Sequence, residues 1–290
     1  MGECFGKITA GEVTGRPRGA IMGPCRKRRQ RKRMTGIAHA PPEGGRAMLE
    51  SIDLKGKRAL ITGAGGGIGR AIALRLAEEG MRLALAGRDA GKLTRTAALT
   101  GRPLDMLILP ADLTRPGSID DISRVLEGHF KGLDVLVNNA GMALNRSFEQ
   151  TSEAEFDAIM ALNVKVPFLL CRRMLPLLRR SECPTIINLG SVVAHDGYVN
   201  QSAYAASKHA LLGLTKSLAK EVYGEGIRVH MISPGGVYTD MIAVARPDLS
   251  PEGMIQPEEV AELAAYLIAH RGNAVVDEIR LHRAAKEPFQ

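Results

Sequence analysis

Tryptophan is absent and aromatic residues are scarce, 4% of a 290-residue chain that carries 32 glycines. Such a chain suits Ala, Val, Leu and Ile cores joined by glycine turns, and argues against an aromatic platform on which bases stack. No stretch approaches the ~18 consecutive apolar residues that a membrane span needs. An apolar leader is missing from the start, which disfavours secretion. The four cysteines, Cys4, Cys25, Cys171 and Cys183, lack the short paired spacing of a zinc site, so no metal is expected. Reduced thiols in a cytoplasm fit this usage. Hydrophobic residues at 45% and charged residues at 24% mark a globular protein.

The net charge of +8 is not spread along the chain. Residues 1–50 hold 11 Lys/Arg against 4 Asp/Glu, and the remainder is close to neutral. The folded part therefore lacks the electrostatic support for binding nucleic acid. The first fifty residues show no helical or strand period, are rich in Gly, Pro and Arg, and contain RKRRQRKR from Arg26 to Arg33. Their composition predicts a disordered extension. The basic run reads either as a solvated tail or as an anionic-partner or nuclear-targeting patch. Met34 and Met48 offer later translation starts, and Gly6 in MGECFG stands where N-myristoylation wants Ser or Thr.

From about Ser51 to residue 290 the pattern is regular. Apolar runs at RALIT (58–62), RLALAG (82–87), LDMLILP (104–110), LDVLVNN (133–139), TIINLGS (185–191), IRVHMIS (227–233) and AVVDEIRLH (274–282) read as strands. Helical stretches stand between them near 68–80, 89–100, 117–130, 152–180, 202–224 and 257–270. This alternation predicts right-handed βαβ units and one α/β domain, a doubly wound, seven-stranded parallel sheet with helices on both faces.

At the first strand-to-helix junction stands TGAGGGIG, Thr62 to Gly69. Gly63 allows a sharp turn out of the strand, Gly67 allows backbone to approach a pyrophosphate, and Gly69 allows helix to pack closely on sheet. N–H groups at the helix start, helped by its dipole, favour phosphate. A glycine cluster alone is a weak signal. Its place after the first strand and at the opening of a helix is what makes it a dinucleotide loop.

The spacing T-G-x-x-x-G-x-G resembles that of the short-chain dehydrogenase/reductase family in its ~250-residue, Rossmann-type form. The resemblance runs from about Leu54 to the C-terminus and rests on several motifs in the family's order. NNAG (Asn138 to Gly141) ends the fourth strand, Asn163 sits in the long helix and Ser191 follows the fifth strand. YAASK (Tyr204 to Lys208) opens the next helix, and PGGVYTD (Pro234 to Asp240) follows the sixth strand. Tyr204 and Lys208, four apart, share one helix face. A lysine ammonium there would favour the phenolate and bring the Tyr204 pKa down from near ~10. Ser191 could donate a hydrogen bond to a carbonyl oxygen gaining negative charge.

The resemblance implies catalysis by Asn163, Ser191, Tyr204 and Lys208. Tyr204 would exchange the proton, Lys208 would hold the nicotinamide ribose, Ser191 would orient the substrate, and Asn163 would support a water relaying protons to Lys208. It also implies cofactor contacts from Thr62, Gly63, Gly65, Gly67, Ile68 and Gly69, and from Asp112 and Leu113 at the adenine. Asn139, Ala140 and Gly141 would contact it after the fourth strand, and Pro234, Gly235, Val237 and Thr239 at the nicotinamide. Asn138 reads as a brace between central strands. A homo-oligomer, dimer or tetramer, is implied as well.

Cofactor choice is read at the end of the second strand, where an acid binds the adenosine ribose and Arg accommodates a 2′-phosphate. Gly87 stands where relatives that prefer NAD carry Asp, and Arg88 follows. NADP(H) is therefore expected, with NAD(H) possible should Asp89 be the ribose ligand and not the N-cap of the next helix.

Met142, Ala143, His195, Tyr198 and Met241 are candidate substrate walls, and the short segment 240–256 suggests a modest lid. No Arg or Lys is visibly aimed at the pocket, so an anionic substrate head is not indicated. The last residues, NAVVDEIRLHRAAKEPFQ, lack the glycine-rich turn expected near the last strand of 3-oxoacyl-carrier-protein reductases. Arg172-Arg173 and Arg179-Arg180 could dock an acidic carrier, or form the wet face of a helix. Three readings follow. The first is an NADP(H)-dependent oxidoreductase acting on a small carbonyl or secondary alcohol. The second is a carrier-protein-linked ketoacyl reductase. The third is a non-catalytic dinucleotide sensor or nucleic-acid-linked regulator.

Overall fold

The β-branched and leucine-rich runs form seven short parallel strands because both faces of each can be covered. In chain order these are β1 (Arg58–Thr62), β2 (Arg82–Gly87), β3 (Met106–Pro110), β4 (Val135–Asn138), β5 (Thr185–Leu189), β6 (Arg228–Pro234) and β7 (Glu278–Leu281). They pair in the order β3-β2-β1-β4-β5-β6-β7, all parallel. The computed structural model describes residues 51–246, 250 and 252–287. The expectations for residues 1–50, including the basic run, lie outside these residues. The described residues belong to one unit, Ala47–Gln290.

The helices are α1 (Gly67–Glu78), α2 (Ala90–Leu99), α3 (Ser118–Phe130), α4 (Glu153–Met160), α5 (Val166–Leu178), α6 (Ser202–Val222), α7 (Asp240–Ala245) and α8 (Pro257–Ala269). One face of the sheet is covered by α1 and α8, whose Ile72, Leu76, Ala264 and Ile268 are fully buried, with Leu93 of α2 beside them. The other is covered by Leu126 and Phe130 of α3 and Leu170, Met174 and Leu177 of α5. Each such Leu or Ile contributes about 1.5–3 kcal/mol by leaving water.

Local chemistry sets the boundaries. Asp89 caps α2 by accepting from Lys92 N at 2.9 Å. Ser152 and Glu155 form a reciprocal capping box at α4. The expected long helix over 152–180 is α4 and α5 joined by a π-helical turn, Ala161–Lys165, with Asn163 at its centre. Such turns insert one extra residue and often re-aim a side chain. Two sequence readings need correction. The last strand is only four residues long, Glu278–Leu281, shorter than the run expected over 274–282. The segment after β6 contains the helix α7, too short for its period to show in the sequence.

The order reverses between β1 and β4, neighbours reached by crossovers in opposite directions. A crevice opens there beyond the carboxyl ends of the strands.

Candidate active site

Thr62 to Gly69 turn from β1 into α1 at that crevice. Gly69 is required by close approach: a Cβ there would collide with the Gly63 carbonyl oxygen. Gly67 has φ +50° and lies against Thr239, so its need is a left-handed backbone as well as space. No side chain caps α1, no acid occupies its first turn, and a Cβ on Gly66 would meet nothing within 4 Å. The helix start therefore presents its N–H groups to open space. Arg70 closes the loop from behind, donating to Gly65 O at 2.5 Å.

Thr62 does not face this space. It is buried, donates to Val137 O at 3.2 Å, and accepts from Asn139 N and Ala140 N, each at 3.0 Å. Asn139 returns the tie by donating its amide to Thr62 O at 2.9 Å. The two motifs NNAG and TGxxxGxG are thus cross-braced through the Thr62 hydroxyl. Asn138 bridges β4 to β5 through Asn188 Oδ1 at 2.8 Å, the brace the sequence suggested.

Ser191 follows β5 and is buried, while Tyr204 and Lys208 rise from the first turns of α6. The Tyr204 hydroxyl and Ser191 line the same cavity, and Ser191 acts on the Tyr204 pKa. Lys208 Nζ donates to Leu189 O at 2.8 Å and lies 5.8 Å from the Tyr204 ring centroid. Burial pushes the Tyr204 pKa up, and Ser191 opposes it only in part. Burial also lowers Lys208 to about 8. The expected depression of Tyr204 by a lysine charge is therefore absent from this site, because desolvation dominates both groups.

Asn163 is buried with both ends of its amide engaged. Its Oδ1 accepts from Met142 N at 2.9 Å, and its Nδ2 donates to Met142 O at 2.9 Å and Ser207 Oγ at 3.0 Å. Ser207 Oγ in turn donates to Tyr204 O at 2.7 Å. Asn163 thus clamps the segment after β4 to the turn of α6 that bears Tyr204. Ser207, inside YAASK, is a link the sequence reasoning missed. Nothing but its position between Tyr204 and Lys208 could have signalled it.

Arg88 is exposed just beyond β2, and Asp89 is the N-cap of α2. Asp112 holds Thr114 N and Oγ1 at 2.9 and 2.6 Å. These bonds, Thr114 hydroxyl first, keep its carboxylate below the usual range. Leu113 is buried in the core, so only its backbone could meet an adenine.

A cavity of about 590 Å³ joins these parts. Ile68, Asn139 and Gly141 line it from the crevice, and Ser191, Tyr204 and Lys208 from β5 and α6. Pro234, Gly235, Val237 and Thr239 line it from beyond β6. Met142, Ala143, Tyr198 and Met241 stand in its wall as expected. His195 does not; its Nε2 is 2.6 Å from Glu278 Oε1, which also accepts from Ser233 Oγ at 2.7 Å. The imidazole ties the Ser191 loop to β7. The expectation that no Arg or Lys is aimed at the pocket is also overturned: Arg246, Arg283 and Lys286 line the cavity. They reach it because Gly235 N donates to Leu281 O at 2.8 Å, which brings the chain after β7 beside the chain after β6.

A family model described as short chain dehydrogenase matches residues 57–250. The chain belongs to the short-chain dehydrogenase/reductase family. A 3-oxoacyl-[acyl-carrier-protein] reductase of Vibrio cholerae is 34% identical over 225 residues, 74% of this chain and 91% of that protein. A short chain dehydrogenase of Shigella flexneri, solved with NADP, superposes with TM-score 0.74 at 30% identity. That match covers 79% of this chain and 98% of the other. A 3-ketoacyl-(acyl-carrier-protein) reductase of Brucella melitensis, solved with NADH, gives 0.72 at 30% identity over 79% and 96%. The protein is an NAD(P)-dependent oxidoreductase of this family. The uncapped N-terminus of α1 and the deeply buried Lys208 ammonium, bonded to a single carbonyl, fit a dinucleotide's phosphates and ribose hydroxyls. Among the described residues no helix is long and apolar enough to cross a membrane.

Proposed function

We propose that the protein is an NADP(H)-dependent carbonyl reductase or secondary-alcohol dehydrogenase for a small substrate. The observation that carries this reading is that Ser191, Tyr204 and Lys208 line one cavity, with Lys208 Nζ 5.8 Å from the Tyr204 ring centroid. A dinucleotide held at the α1 glycine loop would supply the hydride for the carbonyl carbon, or take it up in reverse. Ser191 donates a hydrogen bond to the carbonyl oxygen as charge develops there. Tyr204, kept protonated by burial, delivers its proton to that oxygen and is reprotonated from solvent. Lys208 holds the ribose hydroxyls. Asn163 and Ser207 position Tyr204 through the backbone.

Preference for NADP(H) over NAD(H) is supported by exposed Arg88 following Gly87 and by the engagement of Asp89 elsewhere. Two of the family likenesses are named as carrier-protein reductases. The basic pairs offered for such a carrier are largely committed, however: Arg173 pairs with Asp120, Arg179 with Glu225 and Arg180 with Glu127. A small free carbonyl is the better fit. Half-exposed Phe156 and Phe168 on α4 and α5 support a homo-oligomer, and reduced, buried Cys171 and Cys183 fit a cytoplasmic setting.

The test is a panel of carbonyls and alcohols followed at the nicotinamide absorbance with both coenzymes. Turnover with NADPH that exceeds turnover with NADH is the expected result. Oxidation of neither coenzyme across the panel would return the protein to the sensor reading.

A further inference from the structure

The cavity described above has a cationic sector that the reaction does not use. Arg283 and Lys286 lie on the chain after β7, and Arg246 closes α7; all three line the same cavity as Ser191 and Tyr204. Arg283 is half-buried, and its Cδ and Nε run within 4 Å of where a Cβ on Gly236 would stand. Its side-chain stem therefore lies beside Gly236 in the Pro234–Thr239 segment. Glycine at 236 leaves room for that stem. Arg246 and Glu287 are each engaged in contacts of their own, so the inference is placed on Arg283 and Lys286.

Met142, Ala143, Val193, Tyr198 and Met241 supply apolar wall, and Asp196 and Glu287 are the acids. A neutral ketone would need only the apolar walls and the Ser191–Tyr204 pair. Arg283 and Lys286 in the wall of the substrate cavity suit a substrate that carries a negative charge, since a planar guanidinium matches an oxyanion in a bidentate fork.

We infer that the carbonyl substrate carries an anionic group, a carboxylate or phosphate, held by Arg283 and Lys286 while its carbonyl meets Ser191 and Tyr204. This rests on the reductase reading above and names its substrate class. The tail after β7, where the glycine-rich turn of the carrier-protein reductases is missing, is then the part of the chain that selects the substrate.

The test compares matched pairs. 4-Oxopentanoate against its methyl ester reads the carboxylate, and dihydroxyacetone phosphate against dihydroxyacetone reads the phosphate. The wild-type enzyme is expected to prefer at least one charged member by kcat/KM. In the Arg283→Gln, Lys286→Gln double variant that preference is expected to fall about ten- to a hundredfold, the range of hydrogen bonds to charged groups. A preference for the neutral members, a preference unchanged in the variant, or a preference for acyl-carrier thioesters over both free acids overturns the inference. So does a parallel loss of NADPH affinity in the variant, which would assign the cations to the coenzyme. A second measurement is independent of turnover: calorimetric titration of the NADP-loaded protein with pentanoate and pentanamide. Tighter binding of pentanoate, lost in the variant, supports the anion site even if no carbonyl is reduced, in which case the reductase reading alone fails. Equal binding of the two overturns it.

Discussion

On one wall of the cavity, Ser191, Tyr204 and Lys208 stand at the end of β5 and the start of α6. Ser191 Oγ and Lys208 Nζ are tied to backbone there. On another, Arg246, Arg283 and Lys286 stand on a six-residue helix and on the chain beyond a four-residue strand, half-buried or exposed. The first wall grows out of the buried centre of the sheet, where a misplaced group would leave orphaned polar atoms. The second hangs from its edge, where side chains can change charge at small cost to the fold. The difference teaches that chemistry and selectivity sit under different constraints in this molecule. The first must keep its geometry, whereas the second can follow the substrate.

The comparison breaks if the inner wall tolerates change. Tyr204→Phe removes the proton donor, and kcat is expected to fall by about 10²–10⁴-fold. Coenzyme affinity, measured by NADPH fluorescence titration, should stay within a few-fold. Retention of near-full turnover would show that another group delivers the proton.

Lys208 tests the same wall through stability. Its folded pKa is lowered from 10.5 to about 8 by burial. Above the unfolded value neither state carries the proton and burial costs nothing. Between the two values the unfolded chain binds a proton that the folded chain does not, so stability rises with pH across that window. The slope reaches up to about 1.4 kcal/mol per pH unit, and below the folded value the penalty is constant. Urea unfolding of the coenzyme-free protein at pH ~8 and ~9.5 should show this contribution, and Lys208→Met should lack it. Equal slopes would mean that the ammonium is better solvated than its burial implies.

The inner wall was legible in the sequence because its signals are local. TGAGGGIG follows a strand, YAASK opens a helix, and Asp89 sits one residue before the helix it caps. Other features depend on what is brought together across the fold. The direction of the Tyr204 shift follows from desolvation, which spacing does not encode. Thr62 belongs to the glycine motif, yet its hydroxyl serves Asn139 and Ala140 from another strand. His195 looked like pocket wall and instead meets Glu278, 83 residues away. The cationic sector was invisible because it exists only once β7 pairs with β6 and carries residues 282–287 back over the site.

Asn163 sharpens the comparison by asking how much of the inner wall is held from outside it. Asn163→Ala leaves the N–H and C=O of Met142 without their amide partners in a buried place. The expected destabilisation is about 1–3 kcal/mol, measured by urea unfolding. Because the amide also holds Ser207, and through it the turn bearing Tyr204, kcat should fall while coenzyme KM changes little. Asn163→Asp should rescue less than half of that loss, since it restores the acceptor to Met142 N and no donor.

The smallest expected effect lies farthest from the buried wall, at the mouth of the crevice. Arg88 is exposed, and a single solvent-facing charge has limited reach, screened within about 8 Å at physiological salt. Its contribution to a 2′-phosphate should therefore be modest. Arg88→Ala is expected to raise KM for NADPH by about tenfold, consistent with one charge-assisted hydrogen bond, and to leave KM for NADH unchanged. Added salt should shrink the gap between wild type and variant. Equal losses for the two coenzymes would mean that Arg88 supports the loop as a whole, for instance through its attraction to Asp112, and that discrimination is made elsewhere. A loss confined to NADPH would place coenzyme choice, like substrate choice, on side chains at the edge of the fold that the buried geometry leaves free to change.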